Sequence, residues 1–326
     1  MISLTDSEIS QTLDIADADA RYDAAARKLV AQKSILAYIL KSTMDEFADI
    51  PVKQIAEELI EGSPLVSETA VFQDTPDKDG KMNGSSRVQE MATEDVSVLE
   101  GTVRYDIRFV VRMPGINERI EIIVNIEIQN NDKPGYPIPK RGIYYGARMV
   151  SSQRGTLFRD QEYGKLKKVV SIWICENTAV SRSDSINEYS FSEKCRRGTY
   201  QEEKESYDLI RVIVMRLGAE GEHSEDDAIR LLSSMFSPTR TAEDKKKILS
   251  EEFHISVTEE INREVRRMCN LSAGILEKGI ELGIEKGTLE TLFALVKQGI
   301  ISISVAAKQV SMEPNEFEKR YRNYLG

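Results

Sequence analysis

The sequence has only two histidines, His223 and His254, and both lie in charged stretches of helical character toward the C-terminus. This scarcity argues against Ser-His-Asp hydrolysis, Cys-His proteolysis and histidine-ligated zinc, because each of those chemistries depends on an imidazole. Carboxylates remain as the candidate catalytic groups. The metal that suits carboxylates and other hard oxygen donors is Mg²⁺, with Mn²⁺ as a substitute.

Cysteines and long apolar runs are also scarce. Cys175, Cys195 and Cys269 are far apart, which favours reduced thiols over a zinc knuckle or a disulfide framework. No apolar run approaches the roughly 18 residues of a membrane helix. The N-terminal stretch MISLTDSEIS lacks the basic start and apolar core of a signal peptide. We therefore expect a cytoplasmic protein with no membrane partner.

The charge of the chain is unevenly distributed. The 326 residues are 40% apolar and 30% charged, enough for a globular core plus a smaller unit, with a formal net charge of −10. An acidic chain disfavours a nucleic-acid partner, but residues 133–168 contain nine basic and two acidic side chains. Such a run can be merely a solvated face. Its position directly after a strand with polar side chains favours DNA contact.

The N-terminal part is predicted to be mainly helical. Apolar residues at three- and four-residue spacing predict one long helix over Asp19–Phe47, covering a sheet. A second helix is expected over Val52–Glu61, ended by Gly-Ser-Pro. Glu68–Gln73 is predicted to be a strand, and the polar segment Asp74–Asp95 a long exposed loop.

Two alternating segments predict an antiparallel hairpin. Thr102–Arg112 (TVRYDIRFVVR) and Arg119–Gln129, which contains IVNIEIQ, both alternate with period two. Pro114–Asn117 supplies turn residues between them. In this hairpin Asp106 and Glu127 can share one face, so that a polar surface is displayed.

Further segments complete an α/β pattern. A helix is expected after Pro137 and Pro139 and through Gly155. Lys168–Cys175 (KVVSIWIC) is nearly continuously apolar, which is typical of a strand buried on both faces. Weaker strand signals cover Tyr189–Phe191 and Leu209–Met215. This order predicts a mixed sheet flanked by helices.

After Gly218 the sequence becomes charged and helical, so we divide the chain into a core at 1–218 and a helical C-terminal region at 219–326. Helices are expected at Glu225–Phe236, Ala242–Phe253 and Val257 to about Ala273. Glycines at a spacing of four, which let a neighbouring helix or a second copy approach, are Gly279, Gly283 and Gly287. A small helix-turn-helix, or a plain helical hairpin with the same pattern, is expected at Ser302–Gln309 and Pro314–Tyr324.

The acidic pair suits phosphodiester hydrolysis, which needs a metal held by oxygen ligands beside the scissile phosphate. Asp106 and Glu127 are the candidate ligands, with the backbone carbonyl of Ile128 as a third. Gln129 lies two residues beyond the Glu on the same face, where a Lys would stabilise hydroxide; an amide orients water but brings no charge. A solvent-facing polar sheet edge would show the same D…ExQ pattern. If the site is catalytic, the missing charge at Gln129 predicts weaker catalysis, or help from Lys133 or Lys140.

Several segments together resemble the PD-(D/E)XK nuclease superfamily, and most closely its transposase-associated branch of Rpn-like recombination-promoting nucleases. They extend from residue 19 to about 290 and include YDIRF around Asp106, IVNIEIQN around Glu127, KRGIYYGARMVSSQRGTLF, DARYDAAARKLVAQKSILAYILK, KVVSIWIC and the Gly-spaced tail. The resemblance implies a restriction-endonuclease-like α/β core with Mg²⁺-dependent DNA cleavage linked to transposition or recombination. Asp106 and Glu127 take the acidic positions and Gln129 the Lys position. Tyr105 stands where the family motif has Pro, which removes no ligand.

The helix after the motif fits the same function. Tyr144 and Arg148 are four residues apart, and with Lys140 and Arg141 they are predicted to contact DNA phosphates near the cut. Tyr145 fits the core equally well. Residues outside the hairpin that could also reach the metal are Asp45 and Glu46.

Two functions are compatible with these residues, and a third lacks the residue that it needs. The leading hypothesis is a metal-dependent DNA endonuclease, which needs two active sites for a double-strand break and hence favours a homodimer. The alternative is a catalytically weak or inactive nuclease fold that binds DNA or a protein partner. An RNase H-like transposase would need a third acid near the end of the core, and no strand-helix context supplies one.

Overall fold

The computed structural model describes residues 6–67, 94–97, 101–113, 121–218 and 223–325. The chain divides into two compact units, residues 23–268 and a second unit formed by the residues up to 22 and those from 269 onward. The sequence-based division at residue 218 rests on composition and stays a prediction.

A six-stranded mixed sheet forms the centre of the larger unit. Its strands are β1 (Leu65–Val66), β4 (Ile107–Arg112), β5 (Glu121–Asn131), β6 (Val169–Asn177), β7 (Ser185–Ser190) and β8 (Ile210–Arg216). They lie in the order β1-β4-β5-β6-β8-β7. Pairing is antiparallel from β1 to β5, parallel from β5 through β6 to β8, and antiparallel again between β8 and β7. The predicted α/β class, restriction-endonuclease-like with a helical C-terminal region, is confirmed.

The predicted central strand and hairpin are both present. β6 lies between two parallel neighbours and its residues from Val169 to Cys175 are all buried, as its apolar sequence requires. β4 pairs with β5 through Ile107 opposite Ile126. The predicted strand at 102–112 is split, however, because β3 (Gly101–Arg104) pairs with β2 (Glu94–Ser97) in a separate ribbon. The chain therefore bends at residues 105 and 106.

Helix α4 (Ile138–Ser151) packs on β6 and β8. It is shorter than predicted at its end, because a turn follows from residue 152. Pro139 lies inside its first turn, where a missing N–H costs no hydrogen bond. Gly142 permits close packing: an added Cβ would overlap Cγ1 of Val212 and lie 2.9 Å from Nε1 of Trp173.

The prediction of one helix over Asp19–Phe47 was wrong. The structure has α1 (Asp6–Val30) and α2 (Lys33–Thr43), followed by a 3₁₀ turn at Asp45–Phe47. Gln32 between the helices is extended, with φ −64° and ψ 127°. Because apolar residues are buried on both sides of the break, the helical periodicity continues across it and gives no signal of an end.

The helix predicted at 52–61 is partly confirmed, whereas most of the strand and loop predicted at 68–95 cannot be compared with the structure. The second helix is present as α3 (Val52–Gln54), continued by a π-helical turn at Ile55–Leu59. The strand predicted at 68–73 lies outside the described residues, as does the loop from 74 to 93. Asp95, which was assigned to that loop, belongs to β2.

The described residues from 223 onward are mainly helical. The segment predicted to end near Ala273 continues as one helix that contains all three spaced glycines, since nothing in its packing requires a stop. The helices are α5 (Asp227–Phe236), α6 (Ala242–Lys247) with a π-helical turn at Ile248–Glu252, α7 (Glu259–Lys297), α8 (Ile303–Gln309) and α9 (Pro314–Leu325). In the smaller unit Phe293 and Phe317 pack with ring centroids 5.0 Å apart. Across the described residues, no helix combines the length and apolar character needed to cross a membrane.

Candidate active site

Asp106 and Glu127 are joined through the backbone of the hairpin. Asp106 lies at the bend before β4, and its N–H donates to Oε1 of Glu127 at 3.2 Å. The N–H of Ile128 donates to Oδ2 of Asp106 at 3.1 Å. The β4–β5 register therefore brings the two predicted acids together, as the alternation of the two strands required.

The acidic pair is buried rather than displayed. Asp106 is 4% exposed and Glu127 1%, and Asn125 beside them is fully buried and donates to Oε1 of Glu127 at 3.1 Å. Burial, reinforced by the charge of Asp106, raises the pKa of Glu127 well above its usual range. Burial also raises the pKa of Asp106, against the opposing effect of Arg27. The next two residues along β5, Ile128 and Gln129, are partly exposed.

Arg27 of α1 is a site residue that sequence analysis missed. Its Nη1 lies 3.3 Å from Oδ1 of Asp106, and the side chain is only 4% exposed. Its Nε and Nη2 are buried and have no hydrogen-bond partner among the described residues. Since 79 positions separate Arg27 from Asp106, no local pattern could link them.

Gln129 is connected to α4 by a chain of polar contacts. Its Oε1 accepts from the hydroxyl of Tyr136 at 3.4 Å, and its Nε2 lies 3.4 Å from the carbonyl oxygen of Ile128. The hydroxyl of Tyr136 accepts from Nη1 of Arg141. Nη2 of Arg141 donates to the hydroxyl of Tyr145 at 2.7 Å. No sequence pattern pointed to Tyr136, which lies in the loop between β5 and α4.

The four residues predicted to bind DNA lie at different depths. Lys140 and Tyr144 are exposed, Arg141 is partly buried and Arg148 is only 4% exposed. Nη1 of Arg148 donates to the hydroxyl of Tyr144 at 3.1 Å, so the expected shared face of these two is real. Tyr145 is fully buried in the core. Of these four residues, Lys140 and Tyr144 are therefore the exposed ones, with Tyr144 41% exposed.

The acidic pair has the chemistry of a hard-cation site. Among the described residues no group of three or more His, Cys, Asp or Glu side chains could hold a metal ion. Two carboxylates and a carbonyl oxygen nevertheless suit Mg²⁺, which keeps several waters in most protein sites. A cation beside the pair would favour the charged carboxylates and so lower the raised pKa of both acids. Glu46 is engaged elsewhere, with Lys168 at 3.3 Å and Arg211 at 3.0 Å.

In a comparison with protein families, residues 111–260 match the model of the PD-(D/E)XK nuclease family transposase. The matched segment includes Glu127, Gln129 and α4, and it begins five residues after Asp106. No curated protein and no solved structure matches the chain.

Proposed function

We propose that the protein is a Mg²⁺-dependent DNA endonuclease linked to transposition or recombination, with Mn²⁺ as a substitute metal, because residues 111–260 match the model of the PD-(D/E)XK nuclease family transposase. The observation that carries this proposal is the joined acidic pair, Asp106 and Glu127, held by reciprocal contacts of the hairpin backbone. Two oxygen ligands fixed by strand pairing are pre-organised, which a metal site for phosphodiester hydrolysis requires.

Each residue of the site has a separate role in this proposal. Asp106 and Glu127 bind the metal through carboxylate oxygens, and the carbonyl of Ile128 adds a third ligand. When bound, the cation acidifies a water molecule and neutralises charge that develops on the phosphate. The Gln129 amide orients the attacking water by a hydrogen bond and adds no charge. This absence of a Lys predicts slower catalysis than a Lys at position 129 would give.

DNA binding is assigned to the basic stretch that begins after β5. Lys140 and Tyr144 are exposed on α4 and contact backbone phosphates directly, whereas Arg141 and Arg148 support the helix surface from within. Because a double-strand break requires two active sites, the proposal includes a homodimer. The proposal keeps the cytoplasmic location expected from the sequence.

A second candidate function is DNA or protein binding by a weak or inactive nuclease fold. The Arg27–Asp106 contact favours it, because the guanidinium already engages Oδ1 of the carboxylate and so competes with a metal for Asp106. Burial of Asp106 and Glu127 also favours this second function, because a buried carboxylate is less accessible to a metal ion.

Cleavage of supercoiled plasmid separates the two functions. Wild type, Asp106→Ala and Glu127→Ala are compared in Mg²⁺ and in EDTA, with folding of each variant checked by circular dichroism. The endonuclease proposal expects nicking by the wild type in Mg²⁺ alone and none by folded variants. Equal trace activity of all three, with retained DNA binding, would establish the second function instead.

A further inference from the structure

We propose that Tyr136 and Arg141 are positioning residues that hold the Gln129 amide in one orientation, with its NH₂ group as the donor toward the reacting water. This inference rests on the proposed function, because Gln129 has a role only if the acidic pair works on a phosphodiester. It assigns a chemical direction to Gln129, which its sequence position alone leaves open.

The direction of each hydrogen bond follows from the chemistry of arginine. A guanidinium has only donors, so Arg141 must donate to the hydroxyl of Tyr136. The single proton of that hydroxyl is then available for Oε1 of Gln129, 3.4 Å away. Because the amide oxygen is the acceptor there, Nε2 is on the opposite side, beside the Ile128 carbonyl.

Arg141 is itself held tightly. Its guanidinium carbon lies 5.1 Å from the ring centroids of Tyr136 and Tyr145 and 5.5 Å from that of Trp173. Burial opposes its charged form, but contacts with Tyr145 and Tyr136 leave its pKa raised. Trp173 and Tyr145 are fully buried in the core. Arg141, the first donor in this series of hydrogen bonds, is therefore held against the packed side of the sheet.

The orientation matters because the two ends of an amide do opposite things to water. An NH₂ group stabilises hydroxide by donating a hydrogen bond to its oxygen, whereas an amide oxygen would accept a hydrogen bond from neutral water. Without a Lys at position 129, donation is the contribution that replaces the missing ammonium. Loss of the Tyr136 hydroxyl lets the amide rotate and present either end.

The test compares Tyr136→Phe in two backgrounds. In the native background we expect kcat for Mg²⁺-dependent cleavage to fall about tenfold, the scale of a lost orientation, with Mg²⁺ affinity unchanged because the acidic pair is intact. In a Gln129→Lys background the ammonium needs no orienting hydroxyl, so Tyr136→Phe should leave kcat within about twofold. The matched control is Tyr38→Phe, which removes a hydroxyl that donates to the Phe253 carbonyl at 2.8 Å, remote from Gln129 in sequence. It should leave kcat unchanged.

A second readout is independent of cleavage. In protein labelled with ¹⁵N-glutamine, the side-chain amide signals of Gln129 are identified by their loss in Gln129→Lys. We expect Tyr136→Phe to shift these signals and to speed their exchange with solvent.

The outcomes are distinguishable. Equal kcat losses in both backgrounds would show a structural role for Tyr136 and overturn the inference, as would Gln129 signals that Tyr136→Phe leaves in place. If the signals shift but wild type cleaves nothing, the orienting contact stands and the proposed endonuclease function fails.

Discussion

Asp106 donates its backbone N–H to the side-chain carboxylate of Glu127 at a distance of 3.2 Å. This contact makes the site a product of strand pairing, because it forms only in the register that sets Ile107 opposite Ile126. A slip of one residue would turn Glu127 to the other face of the sheet and separate the acids.

Glu127→Gln should stabilise the metal-free protein at alkaline pH while abolishing cleavage. The pKa of Glu127 is raised, so the folded state favours its protonated form; the stability this gives is complete below the ordinary value of 4.5 and is lost as pH rises. A tenfold difference in proton affinity between the folded and unfolded states corresponds to about 1.4 kcal/mol. Thermal unfolding in EDTA from pH 4 to pH 9 should show variant and wild type converging at low pH and the variant more stable at high pH.

The matched control for that experiment is Glu121→Gln on the same strand. Glu121 pairs with Lys167, so its neutralisation removes an attraction and should give no gain in stability. Parallel curves of stability against pH for Glu127→Gln and wild type would contradict the prediction. They would show that Arg141 already compensates the charge of Glu127.

Arg27→Met should destabilise the protein strongly. The side chains of Arg27 and Asp106 are 4% and 6% exposed, and removal of one partner from a buried ion pair costs about 3–5 kcal/mol. Urea unfolding at pH 7 measures the loss. Arg21→Met breaks an exposed pair with Asp17, at 54% and 69% exposure, and should cost at most about 0.5 kcal/mol. Similar losses in the two variants would mean that the Arg27 contact contributes no more than a surface pair.

Gly142→Ala should destabilise the packing of α4 on the sheet by about 1–3 kcal/mol, since the new methyl group overlaps the Val212 side chain. Displacement of the neighbouring Trp173, the only tryptophan, should change its fluorescence emission. Gly274→Ala in α7 meets no atom within 4 Å and should instead stabilise by up to about 1 kcal/mol. An Ala at position 142 that leaves stability and emission unchanged would refute the close approach.

Lys140→Ala should weaken DNA binding through one lost phosphate contact. The slope of log K against log salt concentration should fall in magnitude by about one, nearly independently of DNA sequence. Fluorescence anisotropy over a salt series gives this slope. The control is Lys53→Ala, which removes an exposed lysine of α3 and should leave the slope unchanged. An unaltered slope for Lys140→Ala would remove this residue from the DNA surface.

Local patterns were sufficient for the hairpin and for its acids. Period-two alternation predicted the pairing of β4 with β5, and this pairing in turn brings Asp106 to Glu127. The buried strand β6 was equally predictable from sequence, because a strand covered on both faces needs apolar residues at nearly every position.

The missed features depend on tertiary contacts. Arg27 reaches Asp106 from a distant helix, and Tyr136 meets Gln129 only because the loop before α4 folds back over the strand. The depth of the site was also unpredictable, since alternation identifies a polar face but not whether another element covers it. The break between α1 and α2 lies at Gln32, and no Gly or Pro there indicates in the sequence that a helix ends.

Mg²⁺ binding, measured by isothermal titration calorimetry in buffers of different ionisation enthalpy, tests most directly whether Asp106 and Glu127 form a metal site. Because the pKa of each acid is raised, binding to the wild type should release protons, and more of them as the pH is lowered. Asp106→Asn and Glu127→Gln should each bind at least about tenfold more weakly. Equal affinity in all three proteins, with no proton release, would contradict a metal site at this pair.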